Sequence, residues 1–224
     1  MWKYLFPVSH LIYKKVFEEN KPEPAKTRVP ESKTVLQINL ERLGRILNEA
    51  PGRKIAIIGQ PGAGKSSLLL EMTDDKIVPR PDVGAQTDAT DWSSNPSHFL
   101  LSRYDETVFV DVPGYDTASH PVDKFKLHFP FRAFDAFLFV FNGKLHQADE
   151  ALFSMIRASG KPVSIARSYA ESLSPKEMAS VERDVRKQLA APDSVPLLFV
   201  SSRTRQGVKE LVQNFCPDQR RAAL

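Results

Sequence analysis

The sequence predicts an α/β protein built on a mostly parallel, six-stranded sheet that carries helices on both faces. Strand-like and helix-like apolar patterns alternate from residue 34 onward, which favours a parallel sheet with a ligand at the carboxyl ends of its strands. The run AFLFVF at 136–141 is apolar throughout, as is typical of a strand covered on both faces. Hydrophobic residues make up 42% and charged residues 26% of the 224 residues, which is the composition of a globular protein with a core.

Residues 1–20 combine large apolar with basic side chains. Trp2, Phe6 and their apolar neighbours fall largely on one helical face, a pattern that amphipathic helices at membrane surfaces share. Two interpretations remain open: this segment makes peripheral contact with a membrane, or it packs against the domain or a partner. Residues 21–33 contain three prolines and six charged residues, which indicates a linker. An amphipathic segment and linker are therefore predicted over 1–33.

The first predicted element of the folded part is an extra helix over 34–50. Its apolar residues recur mostly at helical spacing, and Pro51 and Gly52 end it. We expect this helix to pack on the domain that follows it and to bring a partner domain into register. The main domain is predicted over 51–216, with a C-terminal tail at 217–224.

Within the main domain, short apolar runs predict strands and apolar residues at helical spacing predict helices. Two runs separated only by Asp105 and Glu106 predict a hairpin, which places one antiparallel strand at an edge of the sheet. The predicted elements, in order, are a strand at 54–58, a helix at 66–72, the hairpin strands 99–104 and 107–112, a strand at 136–141, a helix at 148–158, a strand at 163–166, a helix at 175–189, a strand at 197–200 and a helix at 208–215.

Charge and cysteine content exclude several classes of protein. The excess of 31 Lys and Arg over 27 Asp and Glu gives a net charge of +4, which is too mild to indicate a specific nucleic-acid partner. Cys216 is the single cysteine, so neither an internal disulfide nor a cysteine-built zinc site is expected. No apolar run approaches the roughly 20 residues that span a bilayer, and the first residues lack a signal-peptide cleavage pattern. We expect a cytoplasmic protein, with peripheral membrane association as the alternative.

One loop carries the main functional signal, because it matches G-x-x-x-x-G-K-[ST] between a predicted strand and a predicted helix. Its glycines allow consecutive backbone N–H groups to point at phosphate oxygens, and the helix adds its positive end. Lys65 reaches the β- and γ-phosphates, and the Ser66 hydroxyl is a ligand for Mg²⁺. The loop consists of Gly59, Gln60, Pro61, Gly62, Ala63, Gly64, Lys65 and Ser66, and Ser67 follows it as a further nucleotide contact.

A second element follows the strand TVFV and consists of Asp111, Val112, Pro113 and Gly114. Asp111 is expected at a strand tip close to the metal, where a carboxylate holds Mg²⁺ directly or through water. The Gly114 backbone N–H is expected to approach the γ-phosphate, because glycine tolerates close contact.

This pair of motifs resembles the Ras-like P-loop GTPase superfamily, and it is most similar to the Era-like and immunity-related (dynamin-like) branches, which use D-x-P-G. The resemblance covers residues 50–216. It implies a three-layer G domain that binds GTP or GDP with Mg²⁺ and hydrolyses GTP. It also implies that loops 83–91 and 113–123 switch with the nucleotide state and contact an effector protein or a second copy of the chain.

The resemblance further implies a switch threonine between the first helix of the domain and the hairpin. Thr87 is similar in placement to the Era-like threonine that closes over Mg²⁺ and the γ-phosphate, where it contributes to both metal binding and catalysis. Thr90 is the alternative.

Base recognition in the superfamily uses N/T-K-x-D after the fifth strand, and here the corresponding residues match unevenly. Ser168 takes the Asn/Thr position, Tyr169 the Lys position and Glu171 the Asp position. A carboxylate is kept, one methylene longer, whereas an aromatic ring replaces the lysine. A later segment is similar to the family's S-A-K motif and consists of Ser201, Ser202 and Arg203.

The residue that orients the attacking water in Ras-like enzymes is a glutamine directly after the D-x-x-G glycine, and Tyr115 occupies that position. Slow intrinsic hydrolysis is therefore expected for a GTP-dependent switch. The alternative is a nucleotide-binding interaction module with little hydrolysis or relaxed base specificity. Nothing in the sequence selects a catalytic arginine among Arg103, Arg132 and Arg167.

Overall fold

The computed structural model describes residues 33–81, 83, 101–118 and 120–215. The chain divides into two units, Met1–Lys33 and Thr34–Leu224, and every described residue except Lys33 belongs to the second. The predictions for the membrane-surface helix, the linker, the switch threonine and the C-terminal tail lie outside the described residues.

The second unit is an α/β structure, and its elements are bounded as follows. In chain order they are α1 (Val35–Glu49), β1 (Arg53–Ile58), α2 (Lys65–Met72), β2 (Leu101–Tyr104), β3 (Thr107–Asp111), α3 (Val122–His128), β4 (Ala136–Phe141), α4 (Gln147–Ala158), β5 (Val163–Arg167), α5 (Pro175–Gln188), β6 (Leu197–Phe199) and α6 (Val208–Phe215). Short 3₁₀ turns occur at Phe131–Ala133 and Ala170–Ser172.

The six strands form one sheet in the order β2-β3-β1-β4-β5-β6. β2 pairs with β3 in antiparallel fashion, and all other neighbouring pairs are parallel. The predicted mostly parallel sheet with one antiparallel edge strand is thus confirmed. The carboxyl ends of β1, β3, β4, β5 and β6 share one edge of the sheet, and the loops that leave this edge carry the candidate site.

Each face of the sheet has its own apolar core, because successive strand residues point to opposite faces. In β4, Phe137 and Phe139 join the core under α1, α3, α4 and α5. Leu138 and Val140 join the core under α2 and α6. The three-layer arrangement follows from this alternation.

Helix α1 packs on the domain through its apolar face. Thr34 is the N-cap of this helix, and its hydroxyl accepts a hydrogen bond from the Gln37 backbone N–H at 3.2 Å. The helix ends just before Pro51. Leu40 and Leu47 are fully buried in the core that also contains Phe125 of α3. The extra helix therefore covers one face of the sheet beside α3.

The structure departs from the predicted elements in one helix that was not predicted and, by one or two residues, at the ends of most other elements. Helix α3 was not predicted, because only Phe125 of its seven residues is buried and so short a helix shows little periodicity. β5 extends to Arg167, and β6 ends at Phe199 instead of residue 200. Of the helices in the described part of the chain, none has the length and apolar character needed to cross a membrane.

Candidate nucleotide-binding site

The glycine-rich loop connects β1 to α2 in a conformation that requires glycine. Gly62 and Gly64 have φ of 72° and 88°, a region that residues with a Cβ rarely adopt. Gly59 packs so closely on β4 that a Cβ there would lie 2.0 Å from the carbonyl oxygen of Val140. Gly64 is the N-cap of α2, and its carbonyl accepts the first helical hydrogen bond from Leu68 at 2.9 Å. The loop thus continues directly into the N-terminus of α2, which is the positive end of the helix dipole.

Lys65, the first residue of α2, turns back onto the loop. Its ammonium donates hydrogen bonds to the carbonyl oxygens of Gly59 and Gln60, each at 3.1 Å. The side chain is 8% exposed, so a positive charge is held inside the cradle. Such a charge attracts the anionic phosphates that the loop geometry suits.

Ser66 and Asp111 join the start of α2 to the end of β3. The Ser66 hydroxyl donates a hydrogen bond to Oδ2 of Asp111. A hydroxyl and a carboxylate are the hard oxygen ligands that Mg²⁺ prefers, and this ion takes only one or two protein ligands beside phosphate and water. The pair therefore fits a magnesium ion. A cluster of three His, Cys, Asp or Glu side chains suited to a metal does not occur among the described residues.

Gly114 lies against the phosphate loop. A Cβ at this position would lie 2.5 Å from the Pro61 ring and 2.7 Å from the Pro61 backbone nitrogen, distances that real Cβ atoms do not show. Val112 fixes the preceding backbone, because its N–H donates to the Ile57 carbonyl at 3.0 Å. The segment after β3 is thus brought beside the loop, and it needs glycine for that approach. That the Gly114 N–H meets a γ-phosphate stays a prediction.

Tyr115 does not face the site. Its side chain is fully buried, and its hydroxyl donates a hydrogen bond to Oδ1 of Asp149 at 2.5 Å. Its ring lies 6.0 Å from that of Phe125. Burial, followed by the neighbouring Asp149 carboxylate, raises the pKa of the phenol well above its usual value. The sequence shows that a tyrosine replaces the water-orienting glutamine at this position, and the structure adds that the apolar core and a buried acceptor hold its side chain inside.

The segment after β5 is tied directly to the phosphate loop. The Ser168 hydroxyl donates to the carbonyl oxygens of Ala63 at 2.7 Å and Phe141 at 3.0 Å. Tyr169 follows with φ of 56° and is 49% exposed. Ser168 therefore acts as a bridge between the predicted base loop and the predicted phosphate loop.

Glu171 presents an ionised carboxylate beside that bridge. The Ser201 hydroxyl, which donates a hydrogen bond to it, is the main cause that lowers the pKa of this carboxyl, and the charges of Arg203 and Arg167 add to the effect. Ser201 is itself fully buried, and its hydroxyl also accepts the Thr204 backbone N–H at 3.1 Å. The segments after β5 and β6 thus meet at one carboxylate.

These segments and α2 enclose a cavity of about 540 Å³. It brings together five of the residues that the sequence assigned to nucleotide binding, from three separate parts of the chain. The cavity is lined by Ser67, Leu70, Glu71, Asp74, Asp75, Arg80, Ser168, Tyr169, Glu171, Ser202, Arg203 and Arg205. The predicted switch residues Thr87 and Thr90 lie outside the described residues.

The model of a family described as "50S ribosome-binding GTPase" matches residues 54–168, just over half of the chain. The match runs from β1 through the phosphate loop to the Ser168 bridge. The chain belongs to this GTPase family. It is thereby a member of the Ras-like P-loop GTPases, whereas the Era-like and immunity-related branch stays a prediction.

Individual relatives agree with this assignment. GTPase Der from Streptococcus pneumoniae (strain Hungary19A-6) is 25% identical in an alignment of 169 residues, and the alignment covers 70% of this chain and 38% of that protein. The chain thus spans about two fifths of the length of the curated relatives it matches. The crystal structure of "a probable GTP-binding protein engB" has a TM-score of 0.51 at 16% identity, covering 70% of this chain and 93% of that one. Apo elongation factor SelB from Methanococcus maripaludis has a TM-score of 0.50 at 16% identity, covering 72% and 32%. Both structures share the fold.

Three residues of this GTPase domain that support the site were not found from the sequence. The Asn142 amide donates to the Gly62 carbonyl at 2.9 Å, and its position directly after β4 was the signal that places it at the loop. The Asp149 carboxylate accepts a hydrogen bond from the Tyr115 hydroxyl, and Arg205 forms an ion pair with Asp74 at 2.5 Å in the cavity wall. No sequence pattern pointed to the last two, because each joins segments far apart in the chain.

Proposed function

We propose that this GTPase-family chain is a Mg²⁺-dependent GTP-hydrolysing switch with slow intrinsic turnover. The observation that carries the proposal is the joint placement of Lys65 in the phosphate loop and of the Ser66 hydroxyl on the Asp111 carboxylate. This arrangement supplies a fixed positive charge and two hard oxygen ligands at one end of the sheet. A triphosphate with its metal is the ligand that uses both.

Guanine recognition is assigned to the cavity between α2 and the segments after β5 and β6. The ionised Glu171 carboxylate is a two-point acceptor for the N1–H and exocyclic amine of guanine. Adenine offers a lone pair at N1, which the same carboxylate repels. Ser168 holds this loop at a fixed distance from the phosphate loop, and backbone amides of Ser201, Ser202 and Arg203 are proposed to contact the guanine carbonyl.

The reaction is the in-line displacement of the γ-phosphate by water. Lys65 and the loop amides offset the charge that develops on the phosphate oxygens, and the Gly114 N–H adds a donor on the γ side. Mg²⁺ held by Ser66 and Asp111 would neutralise charge on the β- and γ-phosphates. Thr87, with Thr90 as the alternative, is proposed to close over this end of the site.

We infer slow turnover from the residue that directly follows Gly114, because its side chain does not face the phosphates. That residue is Tyr115, and its hydroxyl donates a hydrogen bond to Asp149 inside the core. Only the preorganised charges then lower the barrier, unless a partner or a second copy contributes a further group. We propose that loops 83–91 and 113–123 respond to the γ-phosphate and change the affinity for an effector, a second copy or, through residues 1–20, a membrane surface.

The burial of Tyr115 also supports a second candidate function, a nucleotide-dependent interaction module with little hydrolysis or relaxed base specificity. Single-turnover hydrolysis of GTP by nucleotide-stripped protein separates the two, with Lys65→Ala as the background control. Release of phosphate above that background supports the switch. Stoichiometric GTP binding with no release above background supports the module, and a preference for ATP in competition contradicts guanine selectivity.

A further inference from the structure

The residue after Gly114 ties the backbone beside the phosphate loop to the interior of the domain. Tyr115 is fully buried, and its hydroxyl donates a hydrogen bond to Oδ1 of Asp149 at 2.5 Å. Burial, followed by the Asp149 carboxylate, raises the pKa of this phenol, so the hydroxyl keeps its proton at neutral pH. The Gly114 N–H, proposed as a donor to the γ-phosphate, thus lies one residue from a side chain that is held in the core.

The carboxylate of Asp149 is held by the first turn of α4. Its Oδ2 accepts the His146 backbone N–H at 2.7 Å, and the Asp149 backbone N–H donates to the His146 carbonyl at 3.0 Å. The side chain is 1% exposed. These bonds leave Oδ1 for Tyr115 and fix its direction. The position of the acceptor is therefore set by α4, and not by the segment that it anchors.

The chain that leads into α4 is itself bonded to the phosphate loop. Asn142 directly follows β4, and its amide donates to the Gly62 carbonyl at 2.9 Å. β4 also pairs in parallel with β1, the strand that enters the loop, so that Ile58 lies opposite Phe139. The phosphate loop and the start of α4 therefore keep a fixed relation to each other.

Three constraints fix the Gly114 backbone against this frame. Two residues before it, the Val112 N–H donates to the Ile57 carbonyl at 3.0 Å. One residue after it, the Tyr115 hydroxyl is bonded to a side chain of α4. At the residue itself, a Cβ would lie 2.5 Å from the Pro61 ring, so the packing is close. A donor that is in place before the ligand arrives stabilises developing charge without a cost in reorganisation.

We propose that Asp149, acting through the Tyr115 hydroxyl, is a positioning residue that holds the Gly114 N–H in place for the γ-phosphate of a bound triphosphate. Both side chains lie inside the core, and they act on the reaction only through the backbone that they hold. The anchor favours a triphosphate, because a diphosphate has no γ-phosphate to meet this donor. This inference rests on the proposed function and deepens it by assigning a task to the tyrosine that stands where Ras-like enzymes have glutamine.

The test uses the full chain stripped of nucleotide and Tyr115→Phe, which keeps the buried ring and removes only the hydroxyl. Calorimetry with Mg²⁺ measures GDP and GppNHp, a triphosphate analogue that resists hydrolysis, and single-turnover assays measure the rate at saturating GTP. We expect the ratio of GppNHp to GDP affinity to fall about fivefold and the rate to fall about tenfold. The affinity for GDP should stay within about threefold of wild type.

Two further variants separate positioning from a general loss of stability. Ile156→Val removes one buried methyl group from the last turn of α4, which destabilises the same core away from the anchor, and it should change neither the ratio nor the rate. Asp149→Asn keeps one oxygen acceptor but replaces the other by an amide donor. It should lower the ratio in the wild-type background and add no further fall in the Tyr115→Phe background, because Asp149 acts through that hydroxyl.

Nuclear magnetic resonance of wild type labelled with ¹⁵N-glycine gives a readout that needs no variant of the anchor. The chain has ten glycines, and Gly114→Ala assigns the Gly114 amide resonance. A sharp Gly114 resonance without nucleotide is the expected result, whereas a resonance that appears only when GppNHp binds overturns the positioning role. An unchanged affinity ratio in Tyr115→Phe, or an equal loss of GDP and GppNHp, also overturns it. Wild type that binds neither ligand overturns the nucleotide site itself.

Discussion

The Tyr115 hydroxyl and the Asp149 carboxylate form a hydrogen bond of 2.5 Å in the interior, where neither side chain is more than 1% exposed. Tyr115 directly follows Gly114 at the phosphate loop, and Asp149 lies in the first turn of α4. The second oxygen of Asp149 accepts the His146 backbone N–H at 2.7 Å. One buried carboxylate therefore caps α4 and anchors the start of the segment that leaves β3.

Tyr115→Phe should destabilise the fold, because it leaves a buried carboxylate oxygen without its hydroxyl donor. The expected loss in free energy of unfolding is about 1–3 kcal/mol, measured by urea denaturation. Tyr169→Phe is the matched control, since its ring is half-exposed, and it should change the free energy by no more than about 0.5 kcal/mol. Equal stabilities of the two variants would show that the buried hydrogen bond contributes nothing.

Glu171 should keep its role in base binding over the whole neutral and mildly acidic range. Its pKa is lowered from 4.5, first by the Ser201 hydroxyl, so the carboxylate stays ionised above that value and is protonated only at lower pH. The ratio of GDP affinities of wild type to Glu171→Gln should therefore be constant from about pH 5 to about pH 8, and should fall toward unity at lower pH. Phosphate titration is common to both proteins and cancels in the ratio.

A midpoint near neutral pH in that ratio would contradict the assigned ionisation. A ratio of one at every pH would instead remove Glu171 from the base site. Both outcomes are measured in one series of calorimetric GDP titrations of wild type and Glu171→Gln at different pH values.

Gly114→Ala should impair the triphosphate state selectively. The new methyl group would lie 2.5 Å from the Pro61 ring and 2.7 Å from its backbone nitrogen, so the segment after β3 must move away from the phosphate loop. We expect the ratio of GTP to GDP affinity to fall about tenfold, or about 1.4 kcal/mol. Gly44→Ala, which makes only an ordinary 3.4 Å contact with Pro130, is the control and should leave the ratio unchanged. An unchanged ratio in Gly114→Ala would separate Gly114 from the γ-phosphate.

The parts of the site that depend on local sequence were predictable, and those that depend on long-range packing were not. The phosphate loop was found in full because its glycines and Lys65 follow one another between a strand and a helix. The Ser168 hydroxyl bond to Ala63 joins positions 105 residues apart, and no spacing within either segment encodes it. The burial of Tyr115 could not be foreseen for the same reason, since its acceptor lies 34 residues further along the chain.

In the sheet and its helices, too, the features set by local sequence were predictable and those set by long-range packing were not. Apolar runs such as β4 predicted both the strands and the burial of their two faces, because continuous apolar character reports burial directly. Helix α3 escaped prediction because Phe125 alone of its residues is buried. Its packing against α1 depends on the fold and not on its own pattern.

Ser66→Asn should separate the metal-dependent from the metal-independent part of nucleotide binding. The Ser66 hydroxyl contacts Asp111, and both are proposed as ligands of Mg²⁺, which GTP binding uses more than GDP binding does. The larger asparagine side chain cannot take the hydroxyl position beside Asp111 without displacing the metal. We expect Mg²⁺-GTP affinity to fall about tenfold or more, equivalent to about 1.4 kcal/mol, while GDP affinity without metal changes less than about threefold. Lys65→Ala is the contrasting variant and should weaken both ligands, because its ammonium lies in the phosphate cradle itself. Binding of both nucleotides by Ser66→Asn with wild-type affinities would show that the Ser66 hydroxyl is not a metal ligand, and the Ser66–Asp111 contact would then be a purely structural link between α2 and β3.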